Sequence, residues 1–222
     1  MMIDVEHEIS AASRQVGSRT LDAGEARVVT ITQTYDAAVE DVWDACTNAD
    51  RIPRWFLPVS GDLKQGGRYD LEGNASGTIE TCDPPHGFAA TWEFDGDVSW
   101  IDVRLTDADG GRTELRLEHI AHVDDTRWTE FGPGAVGVGW DLALMGLAAH
   151  LRAGGAAVDR DEAAAWAMSD EGRAFMTRSS EAWRDASIAA GTDPDQATAS
   201  AERTTAFYTG QDVPEMSSEP DT

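Results

Sequence analysis

The sequence predicts an α+β fold: short antiparallel strands, one apolar-faced helix long enough to cover them, and further helices toward the C-terminus. Three observations carry this. After a β-branched segment, Val28-Val29-Thr30-Ile31-Thr32, six more short segments of strand character follow, separated only by turn residues. Two of them alternate cleanly, with Ile101, Val103 and Leu105 sharing one face and Leu115, Leu117 and His119 sharing another. Residues 135–152 then place Trp140, Leu144, Leu147 and Leu151 along one helical stripe.

Residues 1–26 are polar and mixed. Val5, Ile9, Ala12 and Val16 fit helical spacing, but Gly17 and Gly24 interrupt it, so the segment reads as an N-terminal arm without an assigned structure. A strand over 27–35 leads through Asp36 into a short helix with Val39, Val42, Trp43 and Cys46 on one face. A second helix start at Thr47-Asn48-Ala49-Asp50 is soon limited by Pro53. Strands follow over 57–63, 68–72, 77–82, 87–94, 98–106 and 112–121, divided by turn signals such as Gly66-Gly67, Asp95-Gly96-Asp97 and Asp109-Gly110-Gly111. Connections this short make the sheet antiparallel, because parallel neighbours need crossovers of roughly a dozen residues or more. A sheet apolar on one face needs a cover, and the 135–152 helix supplies it before Gly154-Gly155.

The C-terminal part is helical and well punctuated. A short helix spans 159–168 with Trp166. Ser169 caps the next, whose first turn carries Asp170 and Glu171 and whose apolar side presents Phe175, Ala182, Trp183, Ala186 and Ala190. Asp193-Pro194-Asp195-Gln196 combines an N-cap, a Pro at the first helical position and a capping-box Gln, and Gly210 stops that helix. The tail from Gln211, with Pro214, Ser217, Ser218 and Pro220, reads as disordered. The expected organisation is therefore an arm (1–26), a sheet-and-helix domain (27–155), a helical extension (156–210) and a tail (211–222). The one-sided helices of the extension must bury their apolar faces, either on the domain itself or in a homodimer or partner interface.

Composition narrows the function. The chain has 222 residues, 41% of them hydrophobic, and a formal net charge of −24 that is spread over arm, domain and extension alike. Such a surface repels phosphate backbones and anionic bilayers, so neither nucleic acid nor a membrane is an expected partner. The start lacks the basic and apolar regions of a secretory signal, and no apolar run approaches the roughly 20 residues that span a bilayer. The expected location is cytoplasmic. Cys46 and Cys82, the two cysteines, have no metal-ligand spacing and no neighbouring His or basic residue, and read as small hydrophobes.

Several stretches together resemble a known family. Val42-Trp43-Asp44-Ala45, then Asn48-Ala49-Asp50-Arg51-Ile52 and Arg54-Trp55-Phe56, is similar to the signature following strand one of START-like (SRPBCC) proteins. More narrowly it resembles the subgroup named for the C-terminal domain of the activator of the heat-shock protein 90 ATPase. Gly66-Gly67-Arg68-Tyr69, Gly77-Thr78-Ile79-Glu80, Ala90-Thr91-Trp92-Glu93-Phe94, residues 115–119 and Gly139-Trp140-Asp141 extend the likeness over residues 27–152. The resemblance implies a helix-grip (START/Bet v 1-like) fold: a curved antiparallel sheet wrapped on a long C-terminal helix, with a cavity between them. Relatives use that cavity for sterols, lipids, polyketides and plant hormones, and some carry out cyclase or hydrolytic chemistry there.

Alternation and the helical stripe nominate Tyr69, Leu71, Trp92, Phe94, Ile101, Val103, Leu117, His119, Trp140 and Leu144 as cavity walls, with Trp128 near the mouth in the 124–134 loop. The same residues could equally fill a solid core. His119 is the catalytic candidate, as acid or base acting with Tyr69 or a carboxylate, although a hydrogen-bonded core histidine is the commoner outcome. The loop around Trp128 and Phe131 reads as a gate or as an anchored surface loop. Gly132-Pro133-Gly134-Ala135-Val136-Gly137 matches GxGxxG, but no parallel strand follows, so it reads as a helix start whose small residues permit close helix-to-sheet approach. Arg51 and Arg54 read as surface ion pairs of little energetic weight. No metal or cofactor is implied. The expected function is non-catalytic binding of a small hydrophobic molecule; the alternatives are a cyclase or hydrolase using His119, and a co-chaperone-like or regulatory protein-binding module.

Overall fold

A computed structural model describes residues 3–216 of the chain. The order is α1 (Val5–Ala11), β1 (Ala12–Leu21), β2 (Gly24–Tyr35), α2 (Val39–Thr47), a 3₁₀ turn (Ile52–Arg54), β3 (Val59–Gly61), β4 (Arg68–Leu71), β5 (Ser76–Asp83), β6 (Gly87–Phe94), β7 (Asp97–Ala108) and β8 (Arg112–Ala121). Five helices complete it: α3 (Asp125–Phe131), α4 (Gly134–Arg152), α5 (Arg160–Ala167), α6 (Asp170–Ala189) and α7 (Pro194–Thr209). Residues 217–222, including Ser217, Ser218 and Pro220 of the expected disordered tail, lie outside the described residues.

All eight strands form one sheet in the order β1-β2-β8-β7-β6-β5-β4-β3, and every pairing is antiparallel. The β6–β7 hairpin shows how residue chemistry sets register. Phe94 pairs with Asp97 across Asp95-Gly96, and both turn residues have positive φ (51° and 84°), the primed turn that matches strand twist. The inner face is a ladder: Ile31 lies opposite Leu117, Leu117 opposite Val103, and Val103 opposite Phe88. A register shift between Ile79 and Thr81 bends the β5 side.

Residues 3–26, left without an assigned structure by the sequence, form a short helix and an edge strand. Asp4 caps α1 by accepting from the His7 backbone N–H, but the helix stops at Ala11 and Val16 belongs to a strand. That strand pairs with β2 along its whole length, from Ala12↔Gln33 to Leu21↔Gly24. Its outer face faces solvent, so its sequence carries Arg, Gln, Ser and Thr where an inner strand would alternate apolar residues.

α4 crosses the inner face of the sheet, and the stripe of Trp140, Leu144 and Leu147 is buried there. Val138, Met145 and Ala148 on its other sides are buried too, because α6 packs against its back. The helix is apolar nearly all round, and by length and composition alone it is long enough to cross a bilayer, contrary to the sequence expectation; most of it is enclosed by this protein instead. The GxGxxG match explains itself here. A Cβ at Gly137 would come within 2.3 Å of the Trp183 ring, and one at Gly134 within 3.0 Å of Thr204. The glycines admit α6 and α7 rather than the sheet.

Asp141 of α4 is the joint between the two ends of the chain. Arg14 of β1 donates to both carboxylate oxygens (2.7 and 3.0 Å), while Ser179 Oγ (2.5 Å) and Trp183 Nε1 (2.9 Å) of α6 donate to Oδ2. Nearby, α7 satisfies the last carbonyls of α3: Ser200 Oγ donates to Thr129, Arg203 Nη1 to Glu130 and Thr204 Oγ1 to Phe131. The 124–134 segment is thus a helix pinned by α7.

Candidate functional site

Between the β3–β8 part of the sheet, α2 with the 3₁₀ turn, and the middle of α4 lies an apolar cavity of about 350 Å³. Its existence follows from uneven coverage. α4 packs under β2, whereas α2 lies under β7 and β8, and the space between the two helices beneath the sheet is left open. Tyr69, Leu71, Trp92, Ile101, Val103, Leu117, Trp140 and Leu144 line it, as the strand and helix patterns predict.

Three nominated residues lie elsewhere. Phe94 sits at the turn end of the β6–β7 hairpin, past the reach of the α4 cover, and is 53% exposed. Trp128, on α3, packs under the Arg27 guanidinium (5.1 Å to the ring centroid) and contributes nothing to the mouth. His119 faces inward but stands behind Trp140, which separates it from the cavity.

The His119 surroundings fix its chemistry. Trp140 Nε1–H donates to Nδ1 (3.0 Å), so Nε2 carries the proton and donates to Ser99 Oγ (2.9 Å), whose hydroxyl donates to the Trp92 carbonyl (3.1 Å). Burial lowers its pKa to about 4, so the ring is neutral at pH 7 and both nitrogens are engaged. Both ring nitrogens thus face protein partners, and the residue is not part of the cavity lining. The folded-state pKa lies below the ordinary value of 6.5, so below pH 6.5 the unfolded chain takes up the proton first. Stability from this residue is therefore complete above about pH 6.5 and declines toward pH 4, by about 2 kcal/mol between pH 7 and 4.5. Urea unfolding of the wild type and of His119→Gln at both pH values checks this, the expected difference being a shallower acid loss in the variant.

Sequence reasoning missed the part of the cavity supplied by α2 and its sequel: Trp43, Cys46, Thr47, Ile52, Trp55 and Phe56. The apolar face of α2 is visible in the sequence, but periodicity does not say whether such a face meets packed atoms or empty space. Trp55 and Phe56 stack (5.4 Å between centroids), and the Trp55 indole donates to the Ala45 carbonyl (2.9 Å), which holds both rings at the cavity wall. Phe88, opposite Val103, meets Trp43 edge-on. Cys46 and Cys82 both line the cavity, and burial pushes the Cys46 thiol up to about 12, leaving it protonated and a poor nucleophile. The Tyr69 hydroxyl donates to the Thr91 carbonyl (2.6 Å), and burial raises its pKa.

Arg51 is more than a surface ion pair. Its guanidinium reaches Asp41 (2.6 Å) and Asp44 (3.0 Å) of α2 and donates to Nε2 of His150 (3.0 Å), a fully buried residue whose Nδ1 donates to the Ala156 carbonyl (2.7 Å). It ties the roof of the cavity to the C-terminal end of α4.

A curved antiparallel sheet gripping a long helix over a cavity defines a START-like helix-grip protein. The chain belongs to the family described as Activator of Hsp90 ATPase homolog 1-like protein, whose sequence profile matches residues 36–152. The crystal structure of CalU16 from Micromonospora echinospora is 37% identical, with a TM-score of 0.63, over 79% of this chain and 98% of that one. The solution structure of the same protein gives 0.66 at 37% identity over 82% and 97%. MLL2253 from Mesorhizobium loti, at 20% identity and a TM-score of 0.51 over 57% of this chain and 98% of that chain, shares the fold. No curated protein matches the sequence.

Proposed function

We propose that this protein binds a small hydrophobic molecule in the cavity between sheet and α4, without covalent chemistry. The observation that carries the reading is the cavity itself: about 350 Å³ of apolar space, a volume typical of small-molecule sites, between the sheet and its covering helices. Filling it with side chains would stabilise the fold by ordinary burial, so its persistence is better explained by a guest. A cyclase or hydrolase reading has less support. His119 is screened by Trp140, the Tyr69 hydroxyl is committed to Thr91, and the lining contains no carboxylate.

Native mass spectrometry of the full chain, incubated with an organic extract of its own host, tests the reading. Retention of one equivalent of a small molecule is expected, with at least about a tenfold loss of affinity in Ala143→Phe, which fills the cavity from α4. Val59→Phe, at a half-buried wall position, serves if the first variant folds poorly. A bare chain under all conditions, or retention that both variants leave intact, overturns the proposal.

A further inference from the structure

The chemistry of the cavity wall says more than that its guest is hydrophobic. Of the lining residues, none is charged, in a chain with 41 acidic and 17 basic residues. Seven are aromatic: Trp43, Trp55, Phe56, Tyr69, Phe88, Trp92 and Trp140. They do not sit on one side. Trp43 and the Trp55–Phe56 stack come from the roof, Phe88 and Tyr69 from the sheet, and Trp92 tilts against Trp140 of α4 at 5.1 Å between centroids.

Resting on the cavity as the binding site, we infer that its natural guest is an uncharged, flat aromatic or conjugated polycyclic molecule, and that carboxylates such as fatty acids are excluded. Aromatic walls reward a flat π-surface by offset stacking and edge contacts beyond what area burial gives, and a flexible alkyl chain gains none of this while losing more rotamer freedom on binding. An ionised group drawn in among these walls would meet no counter-charge on the lining residues. The cations next in sequence to lining residues are committed elsewhere: Arg51 to Asp41 and Asp44, Arg54 to the carbonyls of Asp50 and Gly155, Lys64 to Asp62, Arg68 to Glu93, Arg104 to Asp102 and Arg116 to Glu118. The net charge of −24 further disfavours an approaching anion. What the wall can offer a polar substituent is neutral. It consists of hydroxyl and thiol groups without formal charge, and the Cys46 thiol is kept protonated by burial.

The test is isothermal titration calorimetry of the full chain at pH 7 with three defined probes: anthracene-9-methanol, anthracene-9-carboxylate and 1-decanol. Anthracene-9-methanol is expected to bind roughly tenfold or more tightly than either of the others, a margin set by one unpaired charge or by lost stacking. Carboxylate binding that equals or exceeds that of the alcohol, or preference for decanol, overturns this inference and leaves the cavity reading standing. Retention of a host molecule without binding of anthracene-9-methanol has the same meaning. Failure of all three probes together with a bare chain in mass spectrometry overturns both.

Discussion

Asp141→Ala is expected to cost about 3–5 kcal/mol of stability, as a drop in the urea midpoint without a change in the architecture of the sheet. The reason lies in what the substitution abandons. Asp141 and Arg14 are nearly sealed from solvent, with side chains 2% and 6% exposed, and the carboxylate accepts from Arg14, Ser179 and Trp183 at once. Removing it leaves a buried guanidinium whose remaining acceptors are the carbonyls of Ile9 and Ala12, and two buried donors without a partner. Removing both charges is a different matter. The double variant Arg14→Met/Asp141→Leu replaces the pair by apolar volume and is expected to lose clearly less than the single alanine variant. A single-variant loss below about 1 kcal/mol would show that water, and not Arg14, is the partner that matters.

How far the sequence reveals this fold depends on what kind of information each element carries. α6 and α7 are legible because caps are local: Ser169 accepts from the Gly172 N–H, and Asp193 accepts from the Asp195 and Gln196 N–H groups, as their positions before acidic first turns and Pro194 indicate. β7 and β8 are legible because one face is buried along their length, which imposes strict alternation. β1 is not, because an edge strand with a wet outer face has little to alternate, and its one decisive side chain, Arg14, finds its partner 127 positions away. The same division applies to the site. Wall residues on strands follow from parity, so Ile101, Val103 and Leu117 are recoverable. His119 obeys the same parity and still misses the cavity, since only the three-dimensional placement of Trp140 decides what stands in front of it. Phe94 fails for a related reason: parity gives the face but not where the cover ends.

A chain ending after Gly155 is expected not to fold, and to elute from size exclusion as aggregate with no near-ultraviolet dichroism. The family profile ends at residue 152, so such a chain retains the whole matched region, and the expectation rests on what packs behind it. Trp166, Phe175 and Trp183 are buried against Met145, Ile3 and the back of α4, and losing three large side chains of this kind removes on the order of 6 kcal/mol of burial. That is comparable with the whole stability of an ordinary domain. The loss is compounded at Asp141, which would keep Arg14 but lose Ser179 and Trp183, and at Gly134 and Gly137, whose bare surface exists only to admit Thr204 and Trp183. α4 would then present an apolar back to water along several turns, the condition in which exposed helices associate. A soluble monomer with cooperative unfolding from the shortened chain would refute this, and would recast α5–α7 as a cover that the grip can shed. The full chain is instead organised around a helix that needs two partners, the sheet in front, where the cavity is, and the C-terminal helices behind, where the cavity's rear wall is held in place.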